Sequence, residues 1–298
     1  MIYTLTFNPA IDYVIHIDKI DWGETNRSYS EEIAFGGKGI NVSTVLSNLG
    51  FDTVALGFVA GFTGEALERA VTECGIRTDF IRLRDGNTRI NVKLKSDAET
   101  EINAQGPAIT EEDISKLYEK LELIRTGDTL VLAGSVPNSL HQSIYEEIMA
   151  RLSGRGIRFA VDATGALLTS VLKYHPFLIK PNRAELEEIC GKKLNSDGEI
   201  ADAAKELQKM GAVNVLVSLG GDGALLADEF GHIHRKQAVS GKVINTVGSG
   251  DSMVAGFLAG MVEGYEYALT LGIAAGSATA FSQGLAAKED IMALCRQI

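Results

Sequence analysis

The 298-residue chain is poor in cysteine, and its three thiols, Cys74, Cys190 and Cys295, lie far apart with no C-x-x-C pair. That spacing offers neither a disulfide framework nor a cysteine zinc site, and it predicts a reducing, cytoplasmic setting. Positive charge is also scarce: 28 lysines and arginines stand against 39 aspartates and glutamates, a net charge of −11. Nucleic acid and anionic membranes need an extended basic face, so neither is an expected partner. No apolar run reaches the roughly 20 residues that span a bilayer. The most apolar late stretches, "MVAGFLAGM" and "ALTLGIAAGSATAF", are separated by Glu263 and Glu266 and read as buried helices. The opening "MIYTLTFNPAID" goes straight into a strand pattern without the segments of an export signal. Internal repeats, low-complexity tracts and proline-rich linkers are missing too.

What is present fits an ordinary globular chain, 45% apolar and 22% charged. Its length suits one large α/β domain over 1–298. Short aliphatic runs at 54–59, 129–135, 158–164, 177–182 and 214–220 alternate with helical patterns at 39–49, 64–74, 110–123, 139–153, 183–190 and 197–210. Such alternation predicts a mostly parallel sheet with helices on both faces. Residues 11–35 and 88–104 break the rhythm with period-2 patterns and no helix. They read as half-exposed antiparallel strands of a small separate sheet, which closes over a site or meets a second subunit.

Chemistry concentrates at glycines. In "NTVGSGDSMVAGF" (245–257), Gly248, Ser249 and Gly250 follow a strand-like "KVIN" and open an apolar helix. Their backbone N–H groups can form an oxyanion hole there, and Asp251 in the first turn is a candidate general base kept ionised by the helix dipole. As an alternative, Asp251 is merely a cap. "FGGKGINVSTVLSNLG" (35–50) is glycine-rich but lacks Walker A spacing. Lys38 and Asn41, one turn apart, can both face a ligand held against Gly36 and Gly37. Asp12 in "TFNPAID" can accept from sugar hydroxyls, and Arg27 and Arg89 can offer planar forks to a phosphate. In "KPNRAELEEICG", Lys180 and Asn182 end a strand, while Asn182 with Glu185 either holds metal-bound water or caps the next helix. "SLGGDGALLA" (218–227) lines a nucleotide pocket or simply turns a hairpin. His232 and His234 share a strand face, but with no third ligand in view they are not expected to bind metal.

In their order along the chain, "GGKGIN", "KPNRAE", "SLGGDG" and "NTVGSGDSMVAGF" resemble the PfkB, or ribokinase-like, family of sugar kinases over essentially the whole sequence. Ser249, where the family more often has Ala, and Asn245, often acidic in relatives, depart from its pattern. The resemblance implies a three-layer α/β/α sandwich with a small β lid, a possible homodimer through that lid, and MgATP as phosphoryl donor. It implies Asp251 as catalytic base, with Gly248, Ser249 and Gly250 as the anion hole. Lys180, Asn182, Ser218, Leu219, Gly220, Gly221, Asp222, Gly223 and Gly250 would surround ATP, with Glu185 reaching Mg2+ through water. Asp12, Arg27, Gly36, Gly37, Lys38, Asn41, Arg89 and Asn103 would hold a sugar phosphate. "TFNPAID" with "TRINVKL" resembles the branch that converts fructose 1-phosphate to fructose 1,6-bisphosphate, with tagatose 6-phosphate and fructose 6-phosphate as alternative acceptors. A catalytically silent sugar-phosphate sensor is the non-enzyme alternative. A nicotinamide dehydrogenase is not expected, because "TFNPAID" stands where G-x-G-x-x-G would follow the first strand.

Overall fold

The computed structural model describes Met1–Ile298. The chain begins with β1 (Ile2–Thr6), β2 (Ala10–His16), β3 (Ser30–Gly36), α1 (Lys38–Asn48), β4 (Thr53–Val59) and α2 (Gly61–Glu73). Two short strands, β5 (Arg77–Thr78) and β6 (Ile81–Arg82), lead to β7 (Arg89–Lys95), β8 (Glu99–Ile102), α3 (Glu111–Leu121) and β9 (Thr129–Ala133). The middle holds α4 (Ile144–Leu152), β10 (Arg158–Asp162), α5 (Gly165–Thr169), β11 (Leu178–Ile179), α6 (Arg183–Cys190) and α7 (Asp197–Lys209). Last come β12 (Asn214–Ser218), β13 (Ala224–Ala227), β14 (Ile233–Lys236), α8 (Ser249–Gly260), α9 (Tyr265–Ala280) and α10 (Lys288–Cys295).

The main sheet has the order β14-β13-β12-β11-β10-β9-β1-β4-β5. Its strands are parallel from β5 to β12, and β13 and β14 return antiparallel. Successive strand side chains point to opposite faces, and here both faces are buried. On β9, Leu130 and Leu132 join a core with α3, α4, α6 and α7, while Val131 and Ala133 join one with α1, α8, α9 and α10. Phe159 and Val161 of β10 divide from Ala160 in the same way. That parity makes three layers, and each fully buried Leu, Val or Phe adds about 1.5–3 kcal/mol. β1 lies between β4 and β9, so connections diverge around it and leave a crevice at the carboxyl ends of the strands.

Three local expectations change. The helix expected over 139–153 starts only at Ile144. The strand expected over 177–182 pairs only at Leu178–Ile179 and an isolated Asn182–Ser218 bridge, Pro181 having no N–H to give. "KVIN" is not a strand: the N–H groups of Ile244 and Asn245 both bond Ala280 O, at 2.8 and 3.2 Å, where the end of α9 leaves a carbonyl without a helical donor. The two late apolar segments are the buried helices α8 and α9. They approach so closely that a Cβ on Gly256 would sit 2.5 Å from Leu271 O.

Residues 11–35 and 88–104 do pair, as a second sheet of order β3-β2-β7-β8. Its outer pairs are antiparallel, but β2 and β7 are parallel, from Ala10↔Arg89 to His16↔Lys95, which corrects the all-antiparallel expectation. Both strands leave the main body at the same place and run outward. Arg89 Nε bonds Asn8 O there, and Thr88 Oγ1 accepts from Ala60 N. The register separates two faces that look mixed in sequence. Asp12, Asn91 and Lys93 share the polar one, where Asn91 and Lys93 are buried. Ile33, Tyr13, Val92 and Ile102 form a cross-strand row on the other, where Ile33 and Ile102 are exposed.

Candidate active site

The amino end of α8 has the geometry of an anion hole. Gly248 caps the helix at φ 80°, a left-handed conformation that glycine adopts freely. Ser249 N–H is committed to Thr246 O at 3.2 Å, and Ser252 N–H to Gly248 O at 2.8 Å. The amides of Gly248, Gly250 and Asp251 take no protein acceptor, so the free donors fall slightly differently from the Gly248–Ser249–Gly250 set read from sequence. Lys180 Nζ lies 3.3 Å from where a Gly250 Cβ would stand. A larger residue there would press on that ammonium.

Asp251 is 5% exposed, and its Oδ2 accepts from Asn41 Nδ2 at 2.8 Å. Burial and the nearby Asp162 push its pKa up to about 6, against the opposing pull of Asn41, Lys38 and Lys180. The helix dipole alone argued for a strongly acidic carboxyl, but desolvation outweighs it. Asp251 remains mostly a carboxylate at neutral pH, with the basicity a proton acceptor needs.

Asp162, which sequence reading did not single out, is the hub of the site. Its Oδ2 is 3.3 Å from Lys38 Nζ and its Oδ1 is 3.4 Å from Lys180 Nζ. Burial opposes the Asp162 charge, yet the two lysines outweigh it and hold the carboxyl below the ordinary range. Burial likewise opposes the charge on Lys38, and Asp162 and Asp251 outweigh it and raise that pKa. Period-2 parity explains the convergence. Asp162 shares its face of β10 with Ala160, and Lys180 continues the face of Leu178; both face the layer of α1 and α8, which carry Lys38 and Asp251.

Three clefts meet this cluster. One, of about 230 Å³, runs between the 218–223 turn and α8–α9 and is lined by Ser218, Gly220, Gly221, Gly223, Ser249 and Gly250. Its apolar walls, including Val239, Val243, Met253, Ile273 and Phe281, were not read from sequence; the run of small residues in α9 was their only signal. A second, of about 500 Å³, opens between β1 and β9 and is lined by Gly37, Lys38, Arg89 and Asp162, with Ser135 and Gln142 as further polar groups that sequence reading missed. Burial lowers the Arg89 pKa against the pull of Asp12. A third, of about 420 Å³, is lined by Asp12, Gly36, Gly37 and Asn41. There Asp12 is already engaged by Asn91 Nδ2 at 2.8 Å and Lys93 Nζ at 3.3 Å.

Other expected residues lie outside the clefts. Leu219 is buried in the core, and Asp222 is exposed and 3.4 Å from Arg183. Asn182 and Glu185 form a reciprocal capping box at the start of α6, each accepting the other's backbone N–H at 2.8 Å. Arg27 is exposed in the loop between β2 and β3. Asn103, just beyond β8, is exposed, with only Glu101 Oε2 at 3.5 Å.

A buried carboxylate, free amides at a helix start and flanking lysines are groups that moving a phosphoryl group onto a hydroxyl calls for. Comparison with known proteins agrees. The chain is 43% identical over 300 residues to 1-phosphofructokinase of Bacillus subtilis, covering 100% of this chain and 98% of that protein. It is 38% identical over 288 residues to D-tagatose-1-phosphate kinase of Bacillus licheniformis, covering 96% and 94%. The crystal structure of phosphofructokinase-2 from Escherichia coli in complex with substrates and products superposes with a TM-score of 0.93 at 29% identity, covering 99% of this chain and 98% of that one. The model of the pfkB family of carbohydrate kinases matches residues 5–292, and the chain, with its ribokinase-like fold, belongs to that family.

Proposed function

We propose that this carbohydrate kinase transfers the γ-phosphoryl group of ATP to the free primary hydroxyl of fructose 1-phosphate, giving fructose 1,6-bisphosphate. The observation that carries the reading is Asp251, a buried base with a pKa of about 6 beside unbonded helix amides. In this reading the hydroxyl gives its proton to Asp251 as the bond to phosphorus forms. The free amides of Gly248, Gly250 and Asp251 hold the oxygens of the migrating phosphoryl group, while Ser249, its N–H given to Thr246 O, shapes the turn that presents them. The adenine lies in the apolar cleft beside Ser218, Gly220, Gly221 and Gly223, Lys180 faces the phosphates, and Asn182, its Oδ1 committed to capping α6, offers them only its Nδ2. Lys38 and Arg89 hold the acceptor's own phosphate, while Asp12, Gly36, Gly37 and Asn41 position its hydroxyls. Arg27 and Asn103 reach it only through movement of the small sheet, which acts as a lid on a single kinase domain.

The donor set suits Mg2+. Glu185 Oε2 is tied to the Asn182 amide, but Oε1 has no protein partner and can meet a hydrated ion. With nucleotide bound, an ion held there would supply neutralisation of phosphate charge.

The resemblance to B. subtilis 1-phosphofructokinase favours fructose 1-phosphate, and the tagatose kinase relative makes tagatose 1-phosphate the second reading. Both sugars offer the same C6 hydroxyl and carry the same C1 phosphate. ATP-coupled kinetics with the 1- and 6-phosphates of fructose and tagatose test this. The highest kcat/KM is expected for fructose 1-phosphate, and a preference for either 6-phosphate would overturn the assignment. We also propose that the row of Ile33, Tyr13, Val92 and Ile102, exposed at its two ends and half-buried between, packs against its copy in a homodimer. Light scattering should give twice the chain mass, and Ile33→Asp should halve it. A reducing, cytoplasmic setting suits the three free thiols.

A further inference from the structure

The hairpin of β13 and β14 carries a second cluster at the far end of the sheet. Ala224 pairs with Ser218 at the active-site end, and the strand then runs away from the site to Ala227, opposite Val215. Asp228 follows, almost fully buried. Its Oδ1 accepts the N–H groups of Phe230 and His232, both at 2.9 Å, which fixes the carboxylate. Its Oδ2 lies 3.2 Å from His232 Nδ1 and 2.8 Å from His234 Nε2. The third group that the histidine pair lacked in sequence is therefore supplied by the turn itself.

A further contact points to a ligand role. Glu266, in the first turn of α9, places Oε1 2.7 Å from His234 Nδ1. In this structure Nε2–H donates to Asp228 Oδ2 at 2.8 Å; with Nδ1–H held by Glu266, an arriving ion takes the place of the Nε2 proton and meets that lone pair in the Asp228–His232 gap. A carboxylate behind the distal nitrogen is the arrangement that orients metal-binding histidines and raises their basicity. The three ligand atoms lie within 4.8 Å of one another. Tetrahedral zinc, with bonds of about 2.0–2.1 Å, sets its donors roughly 3.4 Å apart, so side-chain shifts on the order of 1 Å separate the present geometry from a bound one. His232 is largely exposed, which gives an ion a way in from solvent.

We propose that Asp228, His232 and His234 bind a divalent transition-metal ion of the zinc class, with water completing the coordination. Two imidazoles and one carboxylate suit such ions and not Mg2+, which prefers oxygen ligands, so the site does not compete for the nucleotide's ion. Through Glu266 the ion ties the β13–β14 turn to α9, which packs along α8, the helix that presents Asp251 at its other end. Its role is structural, as a staple at the base of that helix pair.

The test uses untagged full-length protein without nucleotide. Co2+ should bind once per chain with a visible absorption band, and Zn2+ should displace it. His232→Ala and His234→Ala should each weaken binding about tenfold or more, and Glu266→Gln roughly tenfold to a hundredfold. At a fixed Zn2+ concentration the Tm of the wild type should rise, as with any ligand specific to the folded state, and that of His232→Ala should rise less. His232 is exposed and outside the active site, so its variant should fold and keep wild-type turnover. Failure of the wild type to bind Co2+ or Zn2+, or equal binding by wild type and His232→Ala, would overturn the proposal.

Discussion

The cleft beside the 218–223 turn and the cleft between β1 and β9 flank the same cluster but are built from opposite materials. The first is glycines and apolar side chains with backbone amides at its inner end; the second is fixed charge, with Lys38, Arg89 and Asp162 on its walls. Shape and amides suffice for a ligand with a flat ring and a phosphate chain. A small, hydroxyl-rich anion gives little apolar area to bury and must be held by charge-assisted hydrogen bonds. On a chain of net charge −11, those cations act locally.

Substitutions should therefore separate by side, except where the clefts meet. The largest effect is expected at that junction: Asp251→Asn should lower kcat about 10²- to 10⁴-fold while acceptor binding persists. Its stability should move the other way. The rise from 3.8 to about 6 corresponds to about 3 kcal/mol. A carboxyl with a raised folded-state pKa imposes no penalty below 3.8 and its full penalty above 6, so the variant should melt no lower than wild type at neutral pH. Next, Arg89→Ala should weaken acceptor binding roughly tenfold to a hundredfold, since a charge-assisted hydrogen bond is worth about 1.5–3 kcal/mol, with KM for ATP unchanged. On the opposite side, Gly221→Leu adds a side chain where nothing stands within 4 Å of its Cβ. It should raise KM for ATP about tenfold, the cost of roughly 1.4 kcal/mol, and leave the acceptor's alone. A variant that moved both constants equally would erase the distinction. The smallest effect belongs to Ser249→Ala. Ser249 Oγ is buried without a partner, and removing it should hold or raise Tm by an amount equivalent to about 1 kcal/mol or less.

Much of this arrangement could be read before any coordinates, because it is local. The alternation of aliphatic runs and capped helices predicts the layered sheet, and glycine clusters mark the walls of the clefts. Gly39 shows why: a Cβ there would lie 2.5 Å from Thr6 Oγ1, so α1 sits directly on the end of β1 and carries Lys38 into the site. Features that depend on distant partners were not readable. The parallel β2–β7 pair is set by where two remote segments leave the body, and "KVIN" follows a helix carbonyl instead of a strand. Asp162 had a usable signal, an acidic residue ending a buried strand on the same parity as Lys180, but its meaning appears only when β10 and β11 are known neighbours. Asp228 was hidden similarly, four residues before a histidine it reaches only because the turn folds back.

The central claim is that Asp251 is the base and that Asp162 helps set its pKa. Comparing the acid limb of kcat/KM in wild type and Asp162→Asn tests it most directly. Removing the Asp162 charge takes away a repulsion and frees Lys38 and Lys180 to favour ionised Asp251. The account predicts a wild-type limb with a midpoint near 6 that moves to lower pH in the variant. The acceptor's own phosphate, which titrates in the same range, stays where it is. An acid limb with the same midpoint in both proteins would contradict the assignment.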